Sequence, residues 1–316
     1  MTRHVRFDFY PLRFEFMARE PIFLPAGHAA NVLRGALGML FRGIACPPAC
    51  DDARVCPRRH TCPYGRIFAP ENAGVGPSGL ADAPRPFVFR ARHLDGRTMA
   101  PGQTFHFDLH VFTQDAETLA CFVQTFAALA HEGLGPRRGK AELRSVVRLP
   151  AGDFPEAALY RYDGGFSAVA PEPVSLSLAP SGPAPDRLRI EFLSPTELKH
   201  DHRIATRPEF PILFGRIRDR ISTLRRLYGA GALDIDYQGS GLRSADVKVV
   251  HCSLRHEQVL RHSSRTGQTH PIGGFLGAVE YQGELSEFLP FLEAARWTGV
   301  GRQAVWGKGE IALTVL

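Results

Sequence analysis

The sequence predicts an α+β protein built from two tandem ferredoxin-like domains, the fold that RNA-recognition domains share. Two observations lead to this prediction. A helix, a glycine-rich basic loop and a strand follow one another twice, first before residue 150 and again at the C-terminus. Each of these units also closes a strand–helix–strand–strand–helix–strand order, which is the ferredoxin-like order. A chain of 316 residues is long enough for two hydrophobic cores.

The first predicted domain covers residues 1–150. Apolar and polar residues alternate at its start, as in a half-buried strand, and apolar residues then recur at helical spacing. The expected elements are a strand over 6–24, a helix over 32–44, strands over 87–92 and 104–112, a helix capped by Thr113 or Asp115 that ends at Gly133, and a strand over 143–149. Gly35 and Gly38 lie inside the first helix, where each costs about 1 kcal/mol relative to alanine. Such positions indicate close approach by a strand or a ligand.

The second predicted domain covers residues 187–316 and follows a linker over 151–186 that is rich in proline and glycine. The expected elements are a strand over 189–193, a helix over 213–228, strands over 247–254 and 274–281, a helix capped by Ser286 that ends at Gly299, and a strand over 311–315. The outer face of the first of these helices carries Arg216, Arg218, Arg220, Arg225 and Arg226.

The most informative stretch lies near the C-terminus, where four glycines occur within eleven residues. They are Gly299, Gly301, Gly307 and Gly309, with Arg302 and Lys308 between them. The spacing matches a dinucleotide-binding turn, but that turn needs a strand before it and a helix after it, and here a helix comes first. We therefore reject a nicotinamide or flavin site. A basic loop with backbone amides suits a phosphate backbone, and the similar loop of the first domain carries Arg137, Arg138 and Lys140.

The composition favours an anionic partner. Lys and Arg number 38 against 32 Asp and Glu, which gives a formal net charge of +6. Arginine predominates among the basic residues, and its planar guanidinium matches the geometry of phosphate. The N-terminus lacks an apolar signal core, and no run of about 18 apolar residues is present to span a membrane. We expect a cytoplasmic protein with no membrane partner.

A cysteine-rich insertion interrupts the first domain. Cys46, Cys50, Cys56 and Cys62 lie within seventeen residues, among prolines and polar residues that cannot form a core of their own. Four thiolates around a structural Zn²⁺ would fold such a knuckle. The spacing lacks the paired two-residue gaps of the strongest zinc motifs, so an iron–sulfur cluster, a site with three cysteines and His60, and reduced thiols without metal remain alternatives. Cys121 and Cys252 lie in apolar runs and are expected in the cores.

Several segments resemble one known family. They are the run from Gly273 to Gly283, the segment Phe288-Leu-Pro-Phe-Leu, the C-terminal glycine loop, Leu33-Arg-Gly-Ala-Leu-Gly38, the cysteine knuckle and Gly133-Leu-Gly135. These residues resemble the CRISPR repeat-processing endoribonucleases of the RAMP superfamily, which consist of two tandem ferredoxin-like domains. The resemblance covers nearly the whole chain and implies cleavage of CRISPR precursor transcripts within each repeat to give guide RNAs.

The resemblance also implies a mechanism without a catalytic cofactor. A ribose 2′-OH attacks the adjacent phosphate and leaves a 2′,3′-cyclic phosphate and a 5′-OH. Members of the family usually place a histidine on or beside the first helix, where this sequence has His28. Histidine suits either proton-transfer role at neutral pH, and an arginine would stabilise the pentacoordinate phosphorane. Arg34 and Arg42 are the candidates for that cation.

Other histidines compete for a functional role. His200 and His202 lie in a Lys-His-Asp-His-Arg segment that suits a phosphate, a metal or a solvent-exposed loop, and His262 lies near arginines and hydroxyls that suit an RNA backbone. His106 and His110 share one face of a strand and are expected to be sheet residues. The expected RNA surface combines Arg137, Arg138, Lys140, Arg261, Arg265, Arg302 and Lys308 with the C-terminal glycines.

The rival interpretations belong to other functional classes. One is a catalytically inactive RAMP subunit that binds guide RNA beside other subunits of a CRISPR effector complex. A second is a metal-dependent enzyme that uses the cysteines or the histidine pair at 200 and 202, although the sequence has no Walker loop or His-Glu-x-x-His motif. A small-molecule ferredoxin-like enzyme is the third, and the basic charge and the duplicated loops disfavour it.

Overall fold

The chain forms two compact units. One spans Asp8–Val174, and the other comprises Ser175–Leu316 together with the N-terminal residues through Phe7. The computed structural model describes residues 5–35, 37–46, 50, 52–53, 55–70, 83–183, 185–262 and 269–316, leaving aside the side chains of 261–262 and 269–270. Among the helices so described, none combines the length and the apolar character needed to cross a bilayer.

The N-terminal unit has the ferredoxin-like strand order that the sequence predicts. Its elements are β1 (Arg6–Ala18), β2 (Ile22–Phe23), α1 (Ala29–Gly35), α2 (Leu37–Ala45), α3 (Pro63–Phe68), β3 (Phe87–Arg90), β4 (Thr98–Met99), β5 (Thr104–Val111), α4 (Ala116–Glu132), β6 (Ala141–Arg148), β7 (Ala157–Arg161) and β8 (Gly165–Phe166). The main sheet runs in the order β3-β5-β1-β6-β7-β8, with antiparallel pairing of β1 to both β5 and β6.

Phenylalanine dominates the core of this unit. The alternating residues of β1 place Phe14 and Phe16 on one face, and both are fully buried. Phe14 lies in register with Phe107 of β5, and the two rings stack at 5.4 Å. Phe126 of α4 meets both rings edge-on at 4.9 Å, which fixes this helix across the sheet.

The sheet continues into the segment predicted as a linker. Within residues 151–186, β7 pairs with β6, β8 pairs with β7, and a further strand, β9 (Val174–Ser177), pairs with β1. Proline and glycine mark the turns between these short strands, for example Gly165 at φ +68°. The division between the units falls after Val174.

The C-terminal unit repeats the fold. Its elements are β10 (Arg187–Thr196), β11 (Lys199–His200), β12 (Arg203–Ile204), α5 (Phe210–Tyr228), α6 (Tyr237–Arg243), β13 (Lys248–Glu257), β14 (Leu260–His262), β15 (Thr269–Pro271), β16 (Gly274–Gln282), α7 (Leu289–Thr298) and β17 (Ile311–Val315). The main sheet has the order β13-β16-β10-β17, which is again the ferredoxin-like arrangement. The prediction of two such domains is therefore confirmed.

The arginines of α5 have structural partners within this unit. Arg218 donates to Ser240 Oγ at 3.1 Å and lies over the rings of Phe214 and Tyr237. Arg220 donates to the Thr298 carbonyl at 2.9 Å, and Arg225 donates to the carbonyl of Gly231. These three side chains close helix ends and loops, whereas Arg226 of the same helix is exposed.

Three local predictions need correction. A β-carbon at Gly38 would lie 3.6 Å from the Phe68 ring, so an aromatic side chain, and not a strand or ligand, approaches that glycine; Gly35 has no described neighbour within 4 Å. Ser286 does not cap α7, because its backbone and hydroxyl donate to Glu284 and the helix begins at Leu289. Cys121 is buried as expected, but Cys252 is exposed on β13.

We predict that Phe126→Ala destabilises the N-terminal unit by about 3–5 kcal/mol, because it removes the ring that joins α4 to two strands. Phe166→Ala is the matched control: that ring is 42% exposed, so its loss should change stability by less than about 1 kcal/mol. Thermal and denaturant unfolding of both variants provides the measurement. Equal losses in the two variants would contradict the assignment of Phe126 to the core.

Candidate functional site

The C-terminal glycine loop is folded tightly against the end of β10. Its four glycines, Gly299, Gly301, Gly307 and Gly309, all have φ between +69° and +77°. A β-carbon on Gly301 would lie 2.4 Å from the Glu197 carbonyl oxygen, and one on Gly309 would lie 1.9 Å from that of Val300. These positions admit only glycine because two backbones meet there.

The amides of this loop are largely committed to protein carbonyls. Val300 N–H donates to Gly309, Arg302 N–H to Glu197 and Gly309 N–H to Pro195, at 2.9, 3.0 and 3.2 Å. The expectation that loop amides hold a phosphate is thus not favoured by the geometry. What the loop offers to a ligand is its side chains.

The two cations of this loop differ sharply in exposure. The Arg302 side chain is 55% exposed and forms an ion pair with Glu197. Lys308 is only 5% exposed, because it lies in the tight segment between Gly307 and Gly309. The structure therefore favours Arg302, and not Lys308, as a surface contact.

The first glycine loop repeats the same backbone contact in the N-terminal unit. Leu134 and Gly139 exchange two backbone hydrogen bonds, at 2.8 and 3.0 Å, and so close the loop after α4. A β-carbon on Gly135 would lie 2.4 Å from the Phe23 carbonyl oxygen, and one on Gly139 would lie 2.2 Å from that of Pro21. Each unit thus packs a glycine loop on the residues that follow its first strand.

The basic residues of this first loop point to solvent. Arg137, Arg138 and Lys140 are all exposed. Arg138 has a positive φ of +52° and forms only a surface contact of 3.4 Å with Glu132. An exposed ion pair of this kind contributes little stability, so these charges are available to a ligand.

A groove of about 340 Å³ separates this loop from α1 and α2. Its lining comprises Val32, Met39 and Leu40 on the two short helices, Leu129 and Glu132 on α4, and Gly133, Leu134, Gly135 and Arg138 on the loop. Met39 is 73% exposed. The groove is therefore lined mainly by apolar side chains, with the Arg138–Glu132 ion pair in its lining.

His28 lies at the start of α1, one helical turn before this groove. Its carbonyl accepts the N–H of Val32, which lines the groove, and its side chain is half-buried. The next amide, that of Ala29, donates to Asp95 Oδ1 at 2.9 Å, so a carboxylate from the connection after β3 holds the helix start. Sequence patterns gave no sign of this role for Asp95.

The two arginines proposed beside His28 occupy different environments. Arg34 is half-buried in the last turn of α1, six positions after His28, which corresponds to about 240° around a helix. Arg42, in the last turn of α2, donates to the carbonyl of Cys50. The contact of Arg42 with the cysteine-rich segment does not favour it as a cation for a phosphate.

The competing histidines are explained by local structure. Asp201 and His202 have φ of +45° and +63°, which form the two-residue turn of the β11–β12 hairpin. The His200 ring faces Asp201 at 3.2 Å in exposed surroundings. His110 is buried in the sheet, and the ring of His106 stacks on His93 at 4.6 Å. Burial first, and then Arg13 and His93, lower the pKa of His106.

Part of the predicted RNA surface lies outside the described residues. Arg265 falls within 263–268, and the side chains of Arg261 and His262 are likewise outside the description. A groove of about 530 Å³ lies in the C-terminal unit. Its lining includes Glu197, Ile204, His256, Glu257 and Pro271. Gln303 of the glycine loop donates to the Pro271 carbonyl at 3.0 Å, so loop and groove adjoin.

The four cysteines of the knuckle contact one another in a chain. The Cys46 thiol lies within interaction range of the thiols of Cys62 and Cys50, and that of Cys50 lies within interaction range of Cys56. Burial first, and then Cys62 and Cys50, raise the pKa of Cys46 to about 12. No three His, Cys, Asp or Glu side chains of the described residues are already grouped closely enough to hold a metal ion.

Each of the two units matches a known protein family. The family AF_1859_N, described as an N-terminal domain, matches residues 7–173, more than half of the chain, and the family of the CRISPR-associated endoribonuclease Cas6 matches residues 190–311. Residues 190–311 belong to the Cas6 family of CRISPR-associated endoribonucleases. The resemblance stated from the sequence is confirmed. None of the curated proteins searched matches the chain significantly.

Solved Cas6 structures share this fold over nearly the whole chain. Thermus thermophilus Cas6 aligns with a TM-score of 0.52 at 15% identity, covering 98% of this chain and 99% of the other. A Cas6 product complex aligns with a TM-score of 0.53 at 18% identity, covering 96% and 99%. A partial Cas6-RT-Cas1–Cas2 complex aligns with a TM-score of 0.54 at 11% identity, covering 97% of this chain and 46% of the other.

We predict that Gly309→Ala destabilises the C-terminal unit by more than about 2 kcal/mol. The change adds a backbone clash with Val300 to the roughly 1–2 kcal/mol that a left-handed alanine costs. Gly231→Ala is the matched control, since Gly231 has φ +90° and no described atom within 4 Å of its would-be β-carbon. Thermal unfolding should show the larger loss at position 309, and equal losses would contradict the close packing of the loop.

Proposed function

We propose that this chain cleaves CRISPR precursor transcripts within each repeat by a metal-independent transesterification. The ribose 2′-OH upstream of the scissile phosphate attacks phosphorus, and the P–O5′ bond breaks. The products are a 2′,3′-cyclic phosphate and a 5′-OH. RNA supplies the nucleophile, so the protein needs only to bind the strand, move protons and stabilise charge.

The observation that carries the proposal is the arrangement in the N-terminal unit. His28 begins the helix whose next turn lines the groove, and the opposite wall of that groove is the glycine loop with Arg138. A half-buried histidine thus begins a helix that lines the groove, and an exposed arginine of the glycine loop also lines it. Histidine and guanidinium together meet the demands of phosphoryl transfer to an internal hydroxyl.

We assign His28 a proton-transfer role and Arg34 the stabilisation of the phosphorane. The histidine removes the proton of the 2′-OH or donates one to the leaving 5′ oxygen. Arg34 is preferred to Arg42 because it lies on the helix that His28 begins, whereas Arg42 lies in the last turn of α2. No step of this mechanism draws on a catalytic metal ion.

We assign RNA binding to the exposed cations of both glycine loops, Arg137, Arg138, Lys140 and Arg302. The apolar lining of the groove at Met39 and Leu40 suits contact with the faces of unpaired bases, and Arg138 offers a guanidinium plane on which a base can stack. The substrate is therefore proposed as the repeat RNA with at least part of its length single-stranded at the groove.

We predict that His28→Ala lowers the single-turnover rate of repeat cleavage by about 10²- to 10⁴-fold, the usual contribution of a general acid or base. The rate is measured on a labelled repeat RNA in excess EDTA, and the same RNA with a 2′-deoxy nucleotide at the scissile position should not be cut. His200→Ala, which changes an exposed histidine of a hairpin, is the matched control and should keep the wild-type rate.

Two outcomes of this assay would contradict the proposal. Cleavage by His28→Ala within threefold of wild type would exclude the histidine as the proton-transfer group. Binding of repeat RNA without any product from the wild-type protein would favour the alternative of an inactive guide-RNA-binding subunit, which acts beside other CRISPR effector subunits.

We predict that Arg137→Ala with Arg138→Ala weakens RNA binding and makes it less dependent on salt. Each lost phosphate contact should lower the slope of log affinity against log salt by about 0.7–0.9, so the double variant should lose up to about 1.8. Arg58→Ala with Arg161→Ala removes the same charge from exposed positions elsewhere in the unit and is the control. Fluorescence anisotropy over a salt series gives both slopes, and equal slopes in the two double variants would exclude the first glycine loop as a contact.

A further inference from the structure

The cysteine knuckle is the feature of the chain that RNA cleavage does not explain. Its thiols, Cys46, Cys50, Cys56 and Cys62, lie within interaction range of one another in the order 56–50–46–62. All four lie at intermediate exposure and none forms a disulfide. Four cysteines within seventeen residues are a set of ligands that one metal ion can join.

The helices on either side of the knuckle fix its first and last cysteines, Cys46 and Cys62. Cys46 N–H donates to the Arg42 carbonyl at 2.9 Å and so extends the last turn of α2. The Cys62 carbonyl accepts the N–H of Arg66 at 3.0 Å and so begins α3. The Cys62 thiol also lies 3.8 Å from the Ala45 carbonyl, so the end of one helix and the start of the next are in contact.

The turn that carries Cys56 and Cys62 is packed as tightly as the glycine loops. A β-carbon on Gly65 would lie 2.3 Å from the Arg59 carbonyl oxygen, so the turn over 56–62 folds directly onto α3. The Cys56 carbonyl accepts the N–H of Arg59 at 3.1 Å, and the Arg58 carbonyl accepts that of Cys62 at 2.8 Å. The segment is a compact knuckle whose thiols face one another.

We propose that Cys46, Cys50, Cys56 and Cys62 bind one Zn²⁺ as a structural site with four thiolates. Each thiol releases its proton to solvent on binding, so four protons leave as four Zn–S bonds form. Closing the present chain of contacts into a tetrahedron requires the two outer thiols to approach each other. Four thiolates leave no open position on the metal, so the site takes no part in cleavage.

The metal would secure the part of the unit that carries the proposed RNA groove. It would join the end of α2 to the start of α3, two helices that also meet through the Phe41 and Phe68 rings, edge-on at 5.5 Å. An ion pair of 3.2 Å between Arg66 and Asp115 links α3 to the start of α4. Zinc binding would therefore stabilise the helices on one wall of the groove without contacting RNA.

Elemental analysis of the full-length, untagged protein, purified under reducing conditions without chelator, tests the proposal. We expect about one zinc per chain in the wild type and in Cys252→Ser, which changes an exposed cysteine far along the chain. Cys50→Ser with Cys56→Ser should lose at least about tenfold in zinc content. Chelator should lower the melting temperature of the wild type and leave that of the double variant unchanged.

A second measurement, made on the wild-type protein, tests the proposal even if the double variant fails to fold. Wild-type protein loaded with Co²⁺ in place of zinc should show the visible bands of tetrahedral thiolate ligation, and loading should release protons. Wild-type protein that neither contains zinc nor takes up zinc or Co²⁺ under reducing conditions would overturn the proposal. So would iron with inorganic sulfide, or cysteine pairs that titrate as disulfides. None of these readouts uses RNA, so failure of the proposed cleavage would leave them unchanged.

Discussion

In each unit the glycine loop comes so close to the chain after the first strand that no side-chain atom fits between the two backbones. The distance is the same in both units: a β-carbon on Gly135 would lie 2.4 Å from the Phe23 carbonyl oxygen, and one on Gly301 would lie 2.4 Å from the Glu197 carbonyl oxygen. This approach holds the end of each last helix against the central strand. Backbone packing thus holds the loops rigidly and positions the exposed cations on them.

The positive charge of the chain is divided between structural and exposed arginines. Arg218, Arg220 and Arg225 donate to carbonyls and hydroxyls that close helix ends, so they contribute to stability in the C-terminal unit. Arg137 and Arg138 have no comparable buried partners and lie at the surface. The net charge of +6 alone therefore does not locate the cationic surface. The arginines of α5 contribute less to that surface than their number suggests, and those of the first glycine loop contribute more.

The fold could be predicted because its signals are local and repeated. Alternation in the strands, helical spacing and the duplicated glycine loops each indicate the same ferredoxin-like order. The site could be predicted only in part, since exposure and partners depend on residues distant in sequence. The burial of Lys308 follows from packing around Gly309, and the contact of Arg42 follows from the position of Cys50. No pattern within residues 151–186 indicated the strands that this segment forms, because short edge strands contain too few residues for a periodic signal.

The hydrogen bond from Ala29 to Asp95 joins positions 66 residues apart. The position of His28 therefore depends on the folding of the whole unit. The connection that holds the start of its helix is synthesised well after the helix itself. A growing chain that ends before this connection lacks the hydrogen bond that holds the helix start. The start of α1 can gain it only after about half of the unit over Asp8–Val174 has been made.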